Sequence, residues 1–541
     1  MRLVIFLVAL FLVSNSLELA AQQSVNSTDF QLTAPSDPLP FAETITQEDM
    51  KKILSVLASD EMEGRETGTT GNAKAAQFIA DKLQSYGIPK VEKLDSYFQP
   101  IAFTAESWDE ISLKVGDKAY RNLWEYYSFQ KLNSHRGLQN INEVVFLGYG
   151  IDDPNYSDYQ GKDVTGKTIL IYDGEPQKNG ISRVTNSKEV SEWSTDHKKK
   201  LMAAHKNGVA TVLIIDGKIK DNLGKLRHIL IDGSMKMGDV EPTAELYANS
   251  LYISPEIAKN IIGKQYRKVV KARKKITKKG KSKTVTIPTE IAIEQKKNIK
   301  QLLGDNVIGF IEGTDPELKD EIVVLSAHYD HLGKRGTAIY NGADDNGSGS
   351  TTVLELAQAF AEAKKQGIGP RRSVMTIWVT GEEKGLLGSE FYSEFPVFPL
   401  KNTIVDVNVD MVGRVHEKYT DNPNYIYVIG ADRLSTELHE INEAANKKYS
   451  NLVLDYTYNE ESDPNRFYYR SDHYNFAKKG IPAIFYFNGT HADYHRTSDT
   501  IEKIQFDKME KVGRLIFHTA WELANRDKRI EVDVLSGESG R

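Results

Sequence analysis

The stretch at 374–389, VMTIWVTGEEKGLLGS, decides how the chain is read. A β-branched apolar run through Val374, Ile377 and Val379 stops at Gly381, two adjacent carboxylates follow, and a glycine-punctuated LLGS begins. This is the pattern of a buried strand that carries Glu382 and Glu383 to its carboxyl end. Two glutamates at a helix start can also do no more than complement the helix dipole. Four other segments bringing metal-type side chains to similar places give the pair its chemical weight.

Outward from this strand, the chain after Asn298 alternates strand and helix, an α/β pattern. Strands are predicted at 307–311, 322–327, 374–379, 404–409, 425–429 and 483–487, and helices at 349–364, 435–449, 472–479 and 507–525. The helix at 349–364 places Val353, Leu356, Ala357, Phe360 and Ala361 on one face. Ligands of open α/β sheets sit beyond the carboxyl ends of the strands. There stand His328 closing IVVLSAH, Asp344 and Asp345 in NGADDNGSG, Glu382 and Glu383, Asp410 closing IVDVNVD, and His495 in DYHRTSDT. Asp330, two residues after His328, falls on the same side in extended geometry, where its carboxylate can accept the second ring N–H of a ligating histidine. One Asp in a Gly/Asn turn is ordinary turn chemistry; five such segments at successive strand ends are not. The chain contains no cysteine. A metal here is therefore held by His, Asp and Glu, a donor set that suits zinc or another divalent ion at a catalytic site.

At 541 residues with 40% hydrophobic content, the chain is long enough for at least two domains with sizeable cores. A net charge of −6 argues against nucleic acid as a partner. Residues 1–23 carry Arg2, an apolar run from Leu3 to Val13, and Ala20 and Ala21. The run is too short to span a bilayer and reads as a secretory signal peptide at 1–21, so the mature protein is expected to be secreted or periplasmic. No cysteine follows to anchor a lipoprotein, no other segment is apolar enough for stable membrane insertion, and the oligomeric state is not legible.

A Ser/Thr/Pro-rich lead-in precedes two helical patterns within 46–86, which flank EGRETGTTGN at 63–72, read as a loop. Residues 97–103 suggest a first strand. Across 123–284, short strands at 143–146, 168–172 and 211–215 and one helix at 197–207 indicate a compact β-rich insert. Near its end, 264–283 holds eleven Lys and Arg and no acidic residue. This reads as a solvated face, or as a surface for an anionic polymer or surface; with Tyr266 alone interleaved it lacks base-stacking partners.

The ordered set HYD, GADDN, TGEEKGLLGS, VDM and YHRTSDT resembles the co-catalytic di-zinc exopeptidases, the family of secreted bacterial aminopeptidases, glutamate carboxypeptidase and glutaminyl cyclase. VTGKTILIYDGEP and KLMAAHKNGVATVLIIDG resemble the protease-associated domain inserted in several secreted peptidases. The resemblance implies a mixed sheet flanked by helices, an αβα sandwich, over 43–122 and 285–527, with a protease-associated insert at 123–284 that restricts access to the site. It implies two zinc ions per chain: His328 and Asp410 on one, Glu383 and His495 on the other, and Asp345 bridging, although spacing alone leaves Asp344 equally available. Glu382 becomes the general base, Tyr494 an oxyanion donor and Arg470 a substrate-positioning group. His331 is not a family ligand and is expected to face away. His439 and Glu440 make half of H-E-x-x-H, but Glu443 stands where the second histidine belongs.

The implied activity is removal of amino-terminal residues from peptides. The surrounding charge, with Asp344, Asp345, Glu382, Glu383, Asp410 and Asp493 against Arg414 and Arg470, suits a terminal ammonium. Carboxypeptidase and glutaminyl cyclase are the enzymatic alternatives. A non-catalytic peptide-binding protein is the other class, and the intact ligand set weighs against it.

Overall fold

The computed structural model describes residues 30–231, 233–238 and 246–534. The leader read at 1–21 lies outside them. The chain divides into two compact units, one of residues up to Ile101 together with those from Gly304, the other Ala102–Leu303.

In the first unit, Ile322–His328 lies at the centre of the sheet, parallel to Ser373–Val379 on one side and Thr403–Val409 on the other. Ala483–Phe487 continues the sheet in parallel, Tyr425–Ile429 joins it antiparallel, and the end of Val285–Ile311 closes the opposite side antiparallel to Ser373–Val379. The sheet is mixed, as expected. Its central strands are buried along their whole length, which requires cover on both faces. Strand alternation divides the work. Val374 and Trp378 point into a core shared with the helices Gln47–Leu57, Thr70–Ser85, Gly349–Lys365 and Phe506–Asn525. Met375, Ile377 and Val379 point the other way, onto Tyr392 and Phe476.

The predicted strands and helices of this unit all occur, two of the helices shorter than read. The helix at 435–449 is Thr436–Ala445, followed by a wider turn over Asn446–Ser450 and a left-handed Asn451. That at 472–479 is His473–Ala477.

The second unit has its own core. Arg136–Phe146, Thr168–Tyr172, Thr211–Ile215 and Asn249–Ile253 run parallel in that order. Parallel neighbours need crossover connections, and the helices His197–Lys206 and Ile219–Ile231 lie between them in sequence. Pro255–Ile262 and Tyr266–Lys279 follow. The unit is thus richer in helix than the expected β-rich insert. Its limits also lie outside 123–284, because Phe98–Val115 pairs with Ser234–Met237, and Val285–Ile311 pairs first with Arg136–Phe146. Among the described residues no helix is long and apolar enough to cross a membrane.

Candidate metal centre

The four mutually parallel strands of the first unit end where the site begins. His328 closes the central strand. The turn Ala343–Ser348 leads into Gly349–Lys365 and carries Asp345. It starts at Gly342, φ +53°, where a Cβ would stand 2.2 Å from the Asp345 carbonyl oxygen and 2.5 Å from the His331 ring, so only glycine fits. The backbone N–H groups of Asp344 and Asp345 both donate to Asp499 Oδ2, at 3.0 and 3.2 Å. Glu382 and Glu383 follow Ser373–Val379, Asp410 follows Thr403–Val409, and His495 lies in the loop after Ala483–Phe487.

The two oxygens of Asp345 face two different groups. Oδ1 is 3.5 Å from His328 Nε2, which is 3.4 Å from Asp410 Oδ1. Oδ2 is 3.1 Å from His495 Nε2, which is 3.4 Å from Glu383 Oε2. Ligands at zinc–donor distances of about 2.0–2.1 Å in a tetrahedral arrangement stand roughly 3.3 Å apart. The observed separations fit that value on both sides. Asp410 Oδ1 is moreover buried without a hydrogen-bond partner. Such a buried carboxylate oxygen, facing an imidazole nitrogen, is where a cation compensates lost hydration.

Asp344, equally placed by spacing, is committed elsewhere. Its Oδ1 accepts from the Gly413 N–H at 2.7 Å and Ser348 Oγ at 2.9 Å, and its Oδ2 from Asn488 Nδ2 at 3.1 Å.

Two expectations are corrected. His331 faces the cluster rather than away from it: its Nδ1 lies 2.8 Å from Glu383 Oε1 and 3.8 Å from Asp345 Oδ2. Alternation of side chains ends with the strand at His328, and beyond it the backbone turns, with His331 N–H bonding to Arg65 O. His331, Asp345 and Glu383 themselves form a group able to hold a cation. The contact that orients His328 is also not the one expected. Its Nδ1 is 3.1 Å from the backbone carbonyl of Asp330, against 3.7 Å from the carboxylate. The turn brings the carbonyl round, and the Asp330 carboxylate accepts instead from Thr67 Oγ1 at 2.9 Å and the Glu382 and Glu383 N–H groups at 3.2 and 3.4 Å. It positions the two glutamates.

Around Asp410, Ser471 Oγ donates to Oδ2 at 2.8 Å and accepts from Asn408 Nδ2 at 2.8 Å. That bond fixes the carboxylate so that Oδ1 faces His328. Electrostatics separate the paired glutamates. Burial pushes the Glu382 carboxyl well above its usual range, against the pull of His328 and with the help of Glu383, Asp472 and Asp410. Burial acts on Glu383 in the same sense, but hydrogen bonds with His331 and His495 hold it well below.

The adjoining cavity has an apolar wall of Met411, Phe467, Phe485 and Phe487. Tyr494 stacks on His495, ring centroids 3.9 Å apart, and its hydroxyl lies 3.4 Å from Arg470 Nη2. The Arg470 guanidinium sits 4.7 Å over the Phe467 ring. Arg414 instead pairs with Asp493 at 2.9 Å. His439 lies outside the cluster, against the Tyr456 ring.

Arg65 escaped the sequence reading. Fully buried, it donates to four backbone carbonyls, those of Tyr329, Leu57, Asn341 and Gly342, at 2.6–2.8 Å. It thereby ties EGRETG to the segments carrying His328 and Asp345. Asp499, in the quoted TSDT, is the second such residue, and its signal was only its place beside His495.

Residues 306–520 match the Peptidase family M28. The matched segment takes in both glutamates and all five residues facing one another around Asp345. It is similar to a probable leucine aminopeptidase of Trichophyton verrucosum, 32% identical over 216 residues, which are 39% of this chain and 56% of that protein. It is also similar to aminopeptidase YwaD of Bacillus subtilis, 27% identical over 259 residues, 47% of this chain and 51% of that protein. The chain spans just over half the length of these curated relatives. The aminopeptidase from Aneurinibacillus sp. strain AM-1 has the same fold, with TM-score 0.57 at 20% identity over 92% of this chain and 99% of that one. A zinc aminopeptidase from Bacillus subtilis aligns with TM-score 0.52 at 19% identity over 91% and 99%.

Proposed function

We propose that this chain is an exported aminopeptidase that works with two zinc ions. The observation that carries the reading is Asp345, whose two oxygens each face a separate His–carboxylate pair at ligand-to-ligand spacing. His328 and Asp410 would hold one ion and Glu383 and His495 the other, with an oxygen of Asp345 available to each. His331 holds Glu383 Oε1 and leaves Oε2 free for the metal. When bound, the ions acidify a water and polarise the scissile carbonyl.

Among the described residues the Glu382 carboxylate makes no hydrogen bond, and burial holds it well above the usual carboxylate range; it takes the proton of the attacking water and delivers it to the leaving amine. The Tyr494 hydroxyl, at the cavity wall, donates to the oxyanion as it develops. Asp345, Glu382, Glu383 and Asp410 together favour a substrate ammonium, and the apolar wall receives the first side chain. The unit Ala102–Leu303 serves as a protease-associated domain: it contributes none of these groups and confines substrates to short or unstructured peptides. The leader at 1–21 directs export.

A carboxypeptidase reading has one observation in its favour, Arg470 in the cavity wall, since a terminal carboxylate needs a positioned cation. Comparing a short peptide with its N-acetylated and C-amidated forms separates the two. Acetylation is expected to abolish cleavage and amidation to leave it nearly unchanged; the reverse pattern overturns the aminopeptidase.

A further inference from the structure

The segment 264–283, eleven of whose twenty residues are Lys or Arg, becomes informative once folded. Most of it is the helix Tyr266–Lys279. Val269, Ala272 and Ile276 are buried in the core of their own unit. Arg273 is also used internally, its guanidinium 3.8 Å over the Tyr172 ring. The remaining cations do not scatter. At 3.6 residues per turn, Arg267, Lys268, Lys271, Lys274, Lys275 and Lys278 fall within a stripe roughly 120° wide and about 20 Å long. All six are exposed. Among the described residues none of them pairs with a carboxylate, although the chain as a whole has more acidic than basic residues.

Such an arrangement is costly by itself. Arg267 and Lys271, Lys271 and Lys275, and Lys274 and Lys278 are like-charge neighbours at i, i+4, which disfavours the helix, and Arg267 and Lys268 stand in the first turn, where the dipole repels cations. A merely solvated face would mix its signs, as Gln47–Leu57 does with Lys52 between Glu48 and Asp49.

We propose that this face docks the protein on the anionic surface of a phospholipid bilayer. Lysine dominates the stripe, and lysines act on phosphate as point charges without a preferred geometry. None of the six cations lines the cavity that Tyr266 and Arg273 border, so the stripe does not enclose a linear polymer, and Tyr266 is the helix's lone exposed aromatic ring for stacking. Because the apolar stripe is consumed by the fold, the helix does not insert. Attachment is electrostatic, peripheral and reversible by salt.

The test is co-sedimentation of the full chain with phosphatidylcholine vesicles, with and without roughly one-third phosphatidylglycerol. Binding is expected to the anionic vesicles alone, with release at about 0.5 M salt, where screening is complete within a few ångströms. The double substitution Lys271→Glu with Lys275→Glu removes two contributions of about 5-fold each and adds repulsion, so binding should weaken at least ~25-fold. Soluble-peptide turnover without vesicles should be unchanged, which establishes that the variant is folded. Failure to bind anionic vesicles at low salt overturns the proposal, as does equal binding by the folded variant. Retention by soluble polyphosphate with no binding to vesicles also overturns it and assigns the face to a linear polyanion.

Discussion

Replacing Arg65 by methionine tests how the metal cradle is held together. The guanidinium is wholly buried with no carboxylate partner, and burial pulls its pKa down to about 10 although Asp345, Asp330, Asp499 and Glu383 oppose the fall. Its four hydrogen bonds all end on backbone carbonyls. At roughly 1.5–3 kcal/mol for a bond with a charged donor, four amount to about 6–12 kcal/mol. Desolvating the cation costs several kcal/mol, which methionine does not incur. The net loss is therefore ~3–5 kcal/mol, while Arg65→Lys, which keeps one or two of the bonds, should lose ~2 kcal/mol. Hydrogen exchange read on peptides covering Ile322–His328 reports this as a fall in local opening free energy, without requiring the two units to unfold together. A change below ~1 kcal/mol in Arg65→Met would refute the claim that these four bonds hold the site, since a typical surface substitution costs no more.

The chemical roles give further outcomes. Glu382→Ala should keep two ions by elemental analysis while turnover falls at least ~10²-fold, whereas Glu383→Ala should lose metal as well. Asp345→Asn should impair both ions together, and a single ion in fully active protein would sink the paired site. Ser471→Ala frees the Asp410 carboxylate and should weaken metal retention against a chromogenic chelator by ~10–100-fold. In the second unit, burial lowers the Lys200 pKa to about 8, with Asp173, Asp158 and Glu175 opposing. The unfolded lysine keeps its proton up to its usual 10.5, so that unit's stability should rise between pH 8 and 10.5, and Lys200→Met should flatten the slope in hydrogen exchange.

What was legible in the sequence depended on periodicity and turn chemistry. Strands such as 425–429 and 483–487 could be bounded because β-branched and aromatic runs stop at Gly or Asn. The site residues could be collected because each follows such a run. The expectation for His331 fails because a family ligand set that omits a residue says nothing of where its ring points. The Asp330 contact was misjudged because a backbone carbonyl leaves no trace in residue identity. Arg65 was invisible for the same reason: its partners are main-chain atoms more than 260 positions away for three of its four bonds. The helix Tyr266–Lys279 was obscured by its charge, although Val269, Ala272 and Ile276 stand at helical spacing.

The separation of Arg65 from Tyr329 and Gly342, 264 and 277 positions, also sets an order of events during synthesis. The segment EGRETG leaves the ribosome long before the strand that must receive it, and all of Ala102–Leu303 is made in between. At about 5–20 residues per second, that interval lasts tens of seconds. Throughout it the nascent amino-terminal helices have neither their sheet nor the carbonyls that Arg65 will bind, while the intervening unit already has every strand of its own parallel core. The first unit is thus begun before the second and finished after it, and the pocket around Asp345 cannot close until Ala102–Leu303 is complete.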